Sequence, residues 1–336
     1  MFFFRIDLSA IHGLGHYHRV KSLIKYLNLK KYKIVIDKLS DDLIFLNDKN
    51  IIALYGKNLS YKNEKEDANL FLNLVRNENA TVVKDSYRLG YIWEKKIYKY
   101  CKNSVSISDF YEKKSFVDFY INHSPCFLEN SKNFYKKAKN NNIKNCKLLL
   151  GPEYALFNST YNKKDKILSD FVFYNGGSGN ILVYEKIIKK ISLIKKKKNQ
   201  ITLIVGPLAK NYEIICKKFK NYKNVKVLYS PKDILHILAG TKVFISSAGV
   251  AMFEASFLRT PTLLFQMSSN QNLLDSDTEK LGHYFVLKKK DLNQTNKIVN
   301  LIDLMLQNRN QIKKMFFKSN VNKSNIKKNY QKYLKI

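Results

Sequence analysis

The chain of 336 residues contains little cysteine, proline, glycine or tryptophan. Its four cysteines are widely scattered and form no C-x-x-C pair, which argues against a disulfide scaffold or a zinc ribbon. No apolar run reaches the ~18 residues of a membrane span. Arg5 and Asp7 interrupt the apolar start too early for a secretory signal, which needs about 7–15 apolar residues. We therefore expect a cytoplasmic protein without an integral membrane segment.

Arginine is scarce as well. Of 60 basic residues six are arginine and the remaining 54 are lysine, set against 27 acidic residues, and the formal net charge is +33. Recognition of bases and phosphates favours the planar fork of arginine, and the lysines occur with abundant Asn, Ile and Tyr, as an AT-rich genome would encode. We expect no nucleic-acid partner. The positive surface would attract an anionic substrate, and a peripheral membrane contact stays open, as does the oligomeric state.

Short β-branched runs alternate with amphipathic stretches along most of the chain, a pattern that predicts parallel α/β sheets. Gly, Pro, Asn and Ser cluster at residues 151–166, where the periodicity lapses. The pattern therefore predicts two Rossmann-like domains facing across a cleft. We place the domains at residues 1–155 and 165–306, followed by a Lys/Asn-rich, partly helical tail at 307–336.

The loop after the first predicted strand carries two glycines, Gly13 and Gly15, and three histidines. Glycine allows a tight turn and a close approach of backbone N–H groups to an anion. The third glycine of a dinucleotide fingerprint is missing. His16 lies where a helix should begin, and is either a base at the domain edge or a residue that only caps or packs. His12 and His16 have the i, i+4 spacing of a helical metal-binding pair, but the glycines between them disfavour a helix there, so we expect no metal.

Three further loops follow predicted strands and carry polar or small residues. Asp85 and Tyr87 are suited to a sugar, although Asp85 could equally cap the next helix, and Asp109 shares that ambiguity. Gly176 and Gly177 lie in a Gly-rich turn that either approaches a phosphate or merely turns the chain. In the third loop, four residues would form an anion site at a helix N-terminus: Ser246, Ser247, Ala248 and Gly249.

Two acidic or amide segments complete the candidate site. Glu254 is expected about two turns into the helix after that third loop, where it would bind ribose hydroxyls in a nucleotide-sugar enzyme or simply be a solvated or capping residue. Asn270 and Gln271 follow the next strand and have the character of a polar rim.

Several of these segments, in order, resemble the UDP-2,4-diacetamido-2,4,6-trideoxy-β-L-altropyranose hydrolases of bacterial pseudaminic acid biosynthesis and related spore-coat polysaccharide proteins. The resemblance covers roughly residues 1–290. Its most specific part is the run LLLGPEYAL at 148–156. It continues in FRID at 4–7, GLGH at 13–16 with Arg19, VVKDSY at 82–87 with Trp93 and Glu94, GGS at 176–178, GP at 206–207, the block 246–254, and Asn270 with Gln271.

The resemblance implies a GT-B-like, metal-independent and cofactor-free enzyme that releases UDP from a UDP-activated deoxy amino sugar with inversion. It implies that His16 is the general base and that Tyr87 and Asn270 lie next to the sugar or the water. It assigns the diphosphate to residues 246–249 and the ribose to Glu254. The remaining substrate-binding residues would be Gly13, Gly15, Arg19, Asp85, Gly176, Gly177 and Gln271. The chain departs from the family pattern at 108–109, at Gly179 and at 122–124.

Three functions remain in view at this point. A hydrolase would let water attack the anomeric carbon while N–H donors meet the charge on the leaving diphosphate. A GT-B glycosyltransferase would use the same nucleotide site and pass the sugar to a surface-glycan acceptor. A nucleic-acid-binding protein would show a steep salt dependence of binding, and the low arginine content disfavours it.

Overall fold

The computed structural model describes residues 1–56, 60–110, 113–127, 132–142, 146–159, 168–193, 199–267, 271, 285–315 and 323–334. The chain divides into two compact units. The first unit comprises residues 1–156 together with the last helix, and the second comprises residues 157–323. Within the described ranges, no helix combines the length and apolar character that crossing a membrane requires.

The first unit contains a parallel sheet of seven strands. In chain order they are β1 Phe2–Ile6, β2 Tyr32–Ile36, β3 Ile51–Ala53, β4 Thr81–Asp85, β5 Asn103–Ile107, β6 Phe119–Asn122 and β7 Lys147–Leu150. Their spatial order is β3-β2-β1-β4-β5-β6-β7. The helices are α1 Gly15–Leu27, α2 Glu64–Val75, α3 Tyr91–Tyr98 and α4 Lys132–Asn141, with short 3₁₀ turns at Asp41–Leu46, Pro125–Phe127 and Pro152–Tyr154.

The second unit repeats this architecture with six parallel strands. They are β8 Ser169–Tyr174, β9 Ile201–Val205, β10 Val225–Tyr229, β11 Thr241–Ser247, β12 Thr262–Gln266 and β13 Phe285–Lys288, in the spatial order β10-β9-β8-β11-β12-β13. The helices are α5 Glu185–Ser192, α6 Tyr212–Phe219, α7 Ile234–Ala239, α8 Ala251–Leu258, α9 Thr295–Gln307 and α10 Arg309–Met315. The last helix of the chain, α11, is Lys323–Tyr333. The prediction of two Rossmann-like parallel α/β domains is confirmed.

Alternate residues of the central strands face opposite helical layers, which is why these strands are almost continuously apolar. In β8, Phe171 and Phe173 belong to the core that packs under α5 and α9. Val172 and Tyr174 belong to the core on the opposite face, with residues of α7 and α8. Both faces of the sheet are therefore buried, and polar function is confined to the loops at the strand ends.

The strand order reverses once in each sheet. β1 lies between β2 and β4, and β8 lies between β9 and β11. At such a switch point the two neighbouring connections leave in opposite directions, which opens a crevice at the carboxyl ends of the strands where ligands bind in this class of sheet. The loops after β1 and β4, and those after β8 and β11, therefore lie at the two switch points.

Three local features differ from the sequence-based expectation. α8 begins at Ala251, so Glu254 lies in its first turn and not two turns in. The Gly-rich turn leads first into a 3₁₀ turn, Ile181–Tyr184, because the Asn180 side chain accepts a hydrogen bond from the amide of Leu182 and caps it. The end of the tail returns to the first unit, where the Tyr330 ring stacks on Tyr26 at 6.1 Å between centroids.

Candidate functional site

The switch point of the first unit brings the loops after β1 and β4 together. Ile6 and Asp85, the last residues of the two strands, are register partners. The β1 loop turns through Gly13, whose φ of 72° is a conformation that other residues rarely adopt. Gly15 has no such constraint: a Cβ there would meet nothing within 4 Å. The next residue, His16, lies in the first turn of α1 and faces Asp85.

His16 and Asp85 form a buried dyad. The Nδ1 atom of His16 lies 2.7 Å from Oδ1 of Asp85, and the two side chains are 3% and 1% exposed. Nδ1 also lies 2.9 Å from a terminal nitrogen of Arg19, which can only donate, so this ring nitrogen faces both an acceptor and a donor and its role depends on the tautomer. In the tautomer in which Nδ1 donates to Asp85, the lone pair of the neutral ring belongs to Nε2. In that tautomer the ring can accept a proton at Nε2.

Arg19 lies one turn further along α1 and donates hydrogen bonds to two carboxylates. Its Nε and one terminal nitrogen donate to the two oxygens of Asp85 at 2.9 and 2.6 Å. Its other terminal nitrogen donates to both oxygens of Asp109 at 2.8 and 3.0 Å. Burial by itself would lower the pKa of Arg19, but the carboxylates of Asp109 and Asp85 raise that pKa well above its ordinary value. The guanidinium therefore holds carboxylates in place, and its donors are occupied.

Tyr87 packs against the dyad from the β4 loop. Its ring meets the ring of His16 edge to face at 4.7 Å between centroids, and its hydroxyl donates to Asp109. Burial first, and then the negative charge of Asp109, raise the pKa of Tyr87 far above neutrality, so the phenol keeps its proton. Asp7, directly after β1, accepts hydrogen bonds at 2.9 Å from the Ser86 hydroxyl and from the backbone amide of Tyr87. The β4 loop is thereby held against β1.

An ionic layer continues from Asp7 toward β2. Arg88 bonds to Asp7 at 2.5 Å and to Asp37 at 2.9 Å. Arg5 in turn bonds to Asp37 and to Asp67, both at 2.5 Å. Each arginine of this edge, like Arg19, lies between two aspartates. This repeated arrangement fixes the loops behind the dyad because a buried charge without its partner is strongly unfavourable.

Sequence reasoning left Asp109 ambiguous and did not select Asp7, Arg88 or His123. His123 follows β6, and its Nε2 lies 3.8 Å from Asp109. Burial lowers the pKa of His123 to about 4, so this ring is neutral at ordinary pH. Asp7, Asp109 and His123 each come within three residues of the end of a strand, and that position was the available signal. Which strands are neighbours could not be read from the sequence.

The other two histidines of the β1 loop stand apart from the dyad. His12 is exposed, and its Nδ1 lies 2.9 Å from the hydroxyl of Ser9. His18 is exposed on the other side of α1. In the described ranges, no group of three or more His, Cys, Asp or Glu side chains has an arrangement that could hold a metal ion.

The switch point of the second unit is built differently. Tyr174 at the end of β8 is the register partner of Ser246 in β11. Gly176 has a φ of 77°, and a Cβ on Gly176 would lie 3.9 Å from the hydroxyl of Ser247. The backbone of Gly177 packs on Gly206, where a Cβ would lie 2.2 Å from the Gly177 oxygen. The Gly-rich turn is therefore confined between the loops after β9 and β11.

The end of β11 carries one hydroxyl that has no partner in the described part of the chain. Ser246 is buried, and its Oγ makes no hydrogen bond within the described part of the chain. The amides of Ala248 and Gly249 are already bonded, to the carbonyl oxygens of Phe265 at 3.0 Å and of Ser247 at 2.9 Å. Buried polar atoms are nearly always satisfied, so this hydroxyl is an unused donor and acceptor at the second switch point.

Glu254 lies half-buried in the first turn of α8. Burial raises the pKa of its carboxyl to about 8, and the negative charge of Asp233 acts in the same direction, although the backbone amide of Asn158 donates to the carboxyl and opposes the change. At neutral pH the carboxyl is therefore mostly protonated and can both donate and accept. Gln271 accepts from the amide of Met267 at 2.7 Å, and Asn270 lies outside the described residues.

No family model matches the chain. An uncharacterized protein of Methanocaldococcus jannaschii, MJ1062, is 22% identical over 294 residues, which are 82% of this chain and 58% of that protein. The chain thus spans little more than half the length of this relative.

Solved structures resemble the chain over nearly its whole length. A UDP-glucosyltransferase from Polygonum tinctorium has a TM-score of 0.61 at 11% identity, covering 99% of this chain and 98% of that one. The UDP-GlcNAc 2-epimerase of Neisseria meningitidis, in a complex with UDP-GlcNAc, has a TM-score of 0.57 at 14% identity, with 99% of both chains covered. Such neighbours are GT-B UDP-sugar enzymes, and the predicted GT-B-like fold is confirmed.

Proposed function

We propose that this protein is a metal-independent hydrolase that releases UDP from a UDP-activated deoxy amino sugar, in nonulosonic acid or surface-glycan biosynthesis. The observation that carries the proposal is the buried pair of His16 and Asp85 at the first switch point, because in the tautomer that donates to Asp85 the ring can accept a proton at Nε2. The solved structures of UDP-sugar enzymes with this fold support the nucleotide part. The choice of sugar and of hydrolysis rests on the sequence resemblance.

The proposed reaction begins with a water molecule that donates a hydrogen bond to Nε2 of His16. Nε2 takes the proton as the water oxygen forms a bond to the anomeric carbon, on the face opposite the nucleotide. The bond from that carbon to the diphosphate oxygen breaks, and UDP leaves with the electron pair. Asp85 keeps its hydrogen bond to Nδ1 throughout and stabilises the imidazolium that forms.

The second unit would hold the nucleotide. The diphosphate would lie at the turn of Gly176 and Gly177 and at the turn 246–249, where the unpartnered hydroxyl of Ser246 can donate to it. Glu254, protonated at neutral pH, can donate to one ribose hydroxyl and accept from the other. A nucleoside diphosphate is a good leaving group, so the mechanism needs no strong general acid.

The remaining candidate residues take supporting roles in this proposal. Tyr87, Asn270 and Gln271 would border the sugar or the attacking water. Gly13 and Gly15 would shape the loop that leads to the base. Arg19 would act through Asp85, because its own donors are already taken by carboxylates.

Incubation of the protein with a panel of UDP- and CMP-activated bacterial sugars, followed by NMR, tests the proposal. We expect UDP and a free sugar to appear without an added acceptor, and the first sugar formed to have the inverted anomeric configuration. Release that depends on an added sugar or lipid acceptor would instead show a glycosyltransferase. Isomerisation of a sugar that stays attached to UDP would show an epimerase. Both outcomes would contradict the hydrolase.

A further inference from the structure

We propose that Asp109 is a positioning residue that closes a ring of side chains around His16 and supplies the charge that balances its protonated form. This inference rests on the proposed role of His16 as the base. The ring runs through His16, Asp85, Arg19, Asp109 and Tyr87, and back to His16. Asp109 itself does not touch His16 and acts only through its two neighbours.

One arm of the ring runs through Arg19. Asp109 accepts from one terminal nitrogen of the guanidinium at 2.8 and 3.0 Å, while Nε and the other terminal nitrogen donate to the two oxygens of Asp85. Because a guanidinium is planar and rigid, holding one of its nitrogens restricts the position of the other two. Asp109 therefore sets the position of the carboxylate that holds Nδ1 of His16.

The other arm runs through Tyr87. Asp109 accepts the phenolic proton, and the ring of Tyr87 lies edge to face against the imidazole. The imidazole is thus held in its plane by Asp85 and on one side by Tyr87, and both contacts depend on the same distant carboxylate. An aspartate that only neutralised Arg19 would need no second contact with Tyr87.

The charges of the ring point to the same role. When His16 is neutral, the ring of five side chains contains two negative carboxylates and one positive guanidinium, so its net charge is about −1. When His16 takes a proton from water, the ring becomes neutral. The positive charge of Arg19 lowers the pKa of Asp109, and the negative charge of Asp109 raises the pKa of Arg19, so both groups stay ionised. Without Asp109 the same step would leave an uncompensated positive charge in a buried site.

The experiment measures the protonation of His16 by NMR of the imidazole nitrogens, in the full chain and without substrate. Asp109→Asn keeps the shape of the side chain and removes its charge. We expect the pH at which half of the His16 rings are protonated to fall by about one unit in Asp109→Asn, the size of a charge interaction at a partly buried site. Asp109→Glu keeps the charge and should stay close to the wild type.

Asp48→Asn is the matched control. Asp48 accepts from Lys21 at 3.0 Å and from the Tyr17 hydroxyl at 3.1 Å, so it also joins a basic side chain of α1 to a tyrosine, but outside the ring. The other ionisable groups around His16 are Asp7 and His12, which all of these variants retain. An unchanged His16 titration in Asp109→Asn, or an equal change in Asp48→Asn, would overturn the proposal.

Kinetics with a confirmed substrate give the second readout. We expect kcat of Asp109→Asn to fall by about 10- to 100-fold, the acid limb of the rate profile to move to lower pH, and UDP affinity to stay within about twofold. Loss of UDP affinity with an unchanged acid limb would contradict the positioning role. If the wild type releases UDP from no sugar, the proposed function fails, while the NMR titration still decides whether Asp109 controls the protonation of His16.

Discussion

The two switch points of this protein have opposite chemistry. At the first, charged side chains are abundant and satisfy one another: Arg19 is fully occupied by Asp85 and Asp109. At the second, small residues dominate, the Ser246 hydroxyl has no partner in the described part of the chain, and the Glu254 carboxyl is mostly protonated at neutral pH. The same fold therefore presents a network of paired charges around His16 at one edge and a turn of small residues with an unpartnered hydroxyl at the other.

This difference indicates how the two edges would work. A base needs a fixed direction, and a network of mutually paired charges provides it before substrate arrives. A nucleotide site needs donors that are still available and a backbone that a diphosphate can approach closely. Each variant below should damage one edge and spare the other.

Replacement of the base should have the largest effect. We expect His16→Asn to lower turnover by about two to four orders of magnitude, the usual range for loss of a general base, and to leave UDP affinity unchanged. The measurements are kcat with a confirmed substrate and calorimetric titration with UDP. His12→Asn and His18→Asn are the controls, because both rings are exposed and stand apart from the Asp85 carboxylate. Comparable losses in either control would place the base elsewhere.

A methyl group at Gly206 should damage the other edge. Its Cβ would lie 2.2 Å from the backbone oxygen of Gly177, so the Gly-rich turn must move. We expect Gly206→Ala to weaken UDP binding at least tenfold and to destabilise the second unit by about 1–3 kcal/mol, the usual effect of overpacking. Gly56→Ala is the control, since a Cβ on Gly56 would meet nothing within 4 Å and Gly56 is not a candidate site residue. Normal UDP affinity in Gly206→Ala would separate this turn from the nucleotide site.

Glu254 should matter through its hydrogen bonds. We expect Glu254→Ala to weaken UDP binding by about 1–3 kcal/mol by calorimetry. Glu254→Gln should bind almost normally at pH 7, because an amide can donate and accept as the protonated carboxyl does. An equal loss of UDP affinity in both variants, or no loss in either, would contradict this assignment.

The raised pKa of Glu254 also predicts that stability depends on pH. The pKa of Glu254 is raised from 4.5 to about 8 in the folded chain, so the folded state holds this proton more tightly than the unfolded state does. The resulting stabilisation is fully present below pH 4.5 and is lost as the pH rises through about 8. Urea unfolding across this range should show a smaller decrease in Glu254→Gln than in the wild type.

Two buried serines of the second sheet should give the smallest and most selective effects. Ser169 shares a hydrogen bond of 2.7 Å with Thr202, whereas Ser246 has none in the described ranges. We expect Ser169→Ala to cost about 1 kcal/mol of stability and to leave UDP binding unchanged. Ser246→Ala should be nearly neutral for stability and weaken UDP binding by about 1 kcal/mol. The reverse pattern would mean that Ser246 has a structural role.

Much of the fold could be read from the sequence because the buried strands are short, nearly continuous apolar runs, such as Phe2–Ile6 and Thr262–Gln266. Helix starts were less secure: the small residues before Ala251 do not show where α8 begins. The docking of α11 on the first unit was also missed, because Tyr330 lies in a segment rich in Lys and Asn.

The site was predictable only as far as single loops. His16, Asp85 and Tyr87 stood out because each lies in a loop that follows a strand or at a strand end. Their shared partners did not, since the distance in sequence from Arg19 to Asp109 is 90 residues and only the strand order brings β5 next to β4. Hydrogen-bond partners of this kind are a property of the sheet and not of any local pattern.

The position of the new oxygen atom tests the central claim most directly, namely that His16 activates water for attack on the anomeric carbon of a UDP-sugar. The reaction would be run in water enriched in oxygen-18, and both products analysed by mass spectrometry. The account predicts one heavy oxygen in the released sugar and none in UDP, because the bond that breaks joins the anomeric carbon to oxygen. Heavy oxygen in UDP would mean attack on phosphorus and would contradict it.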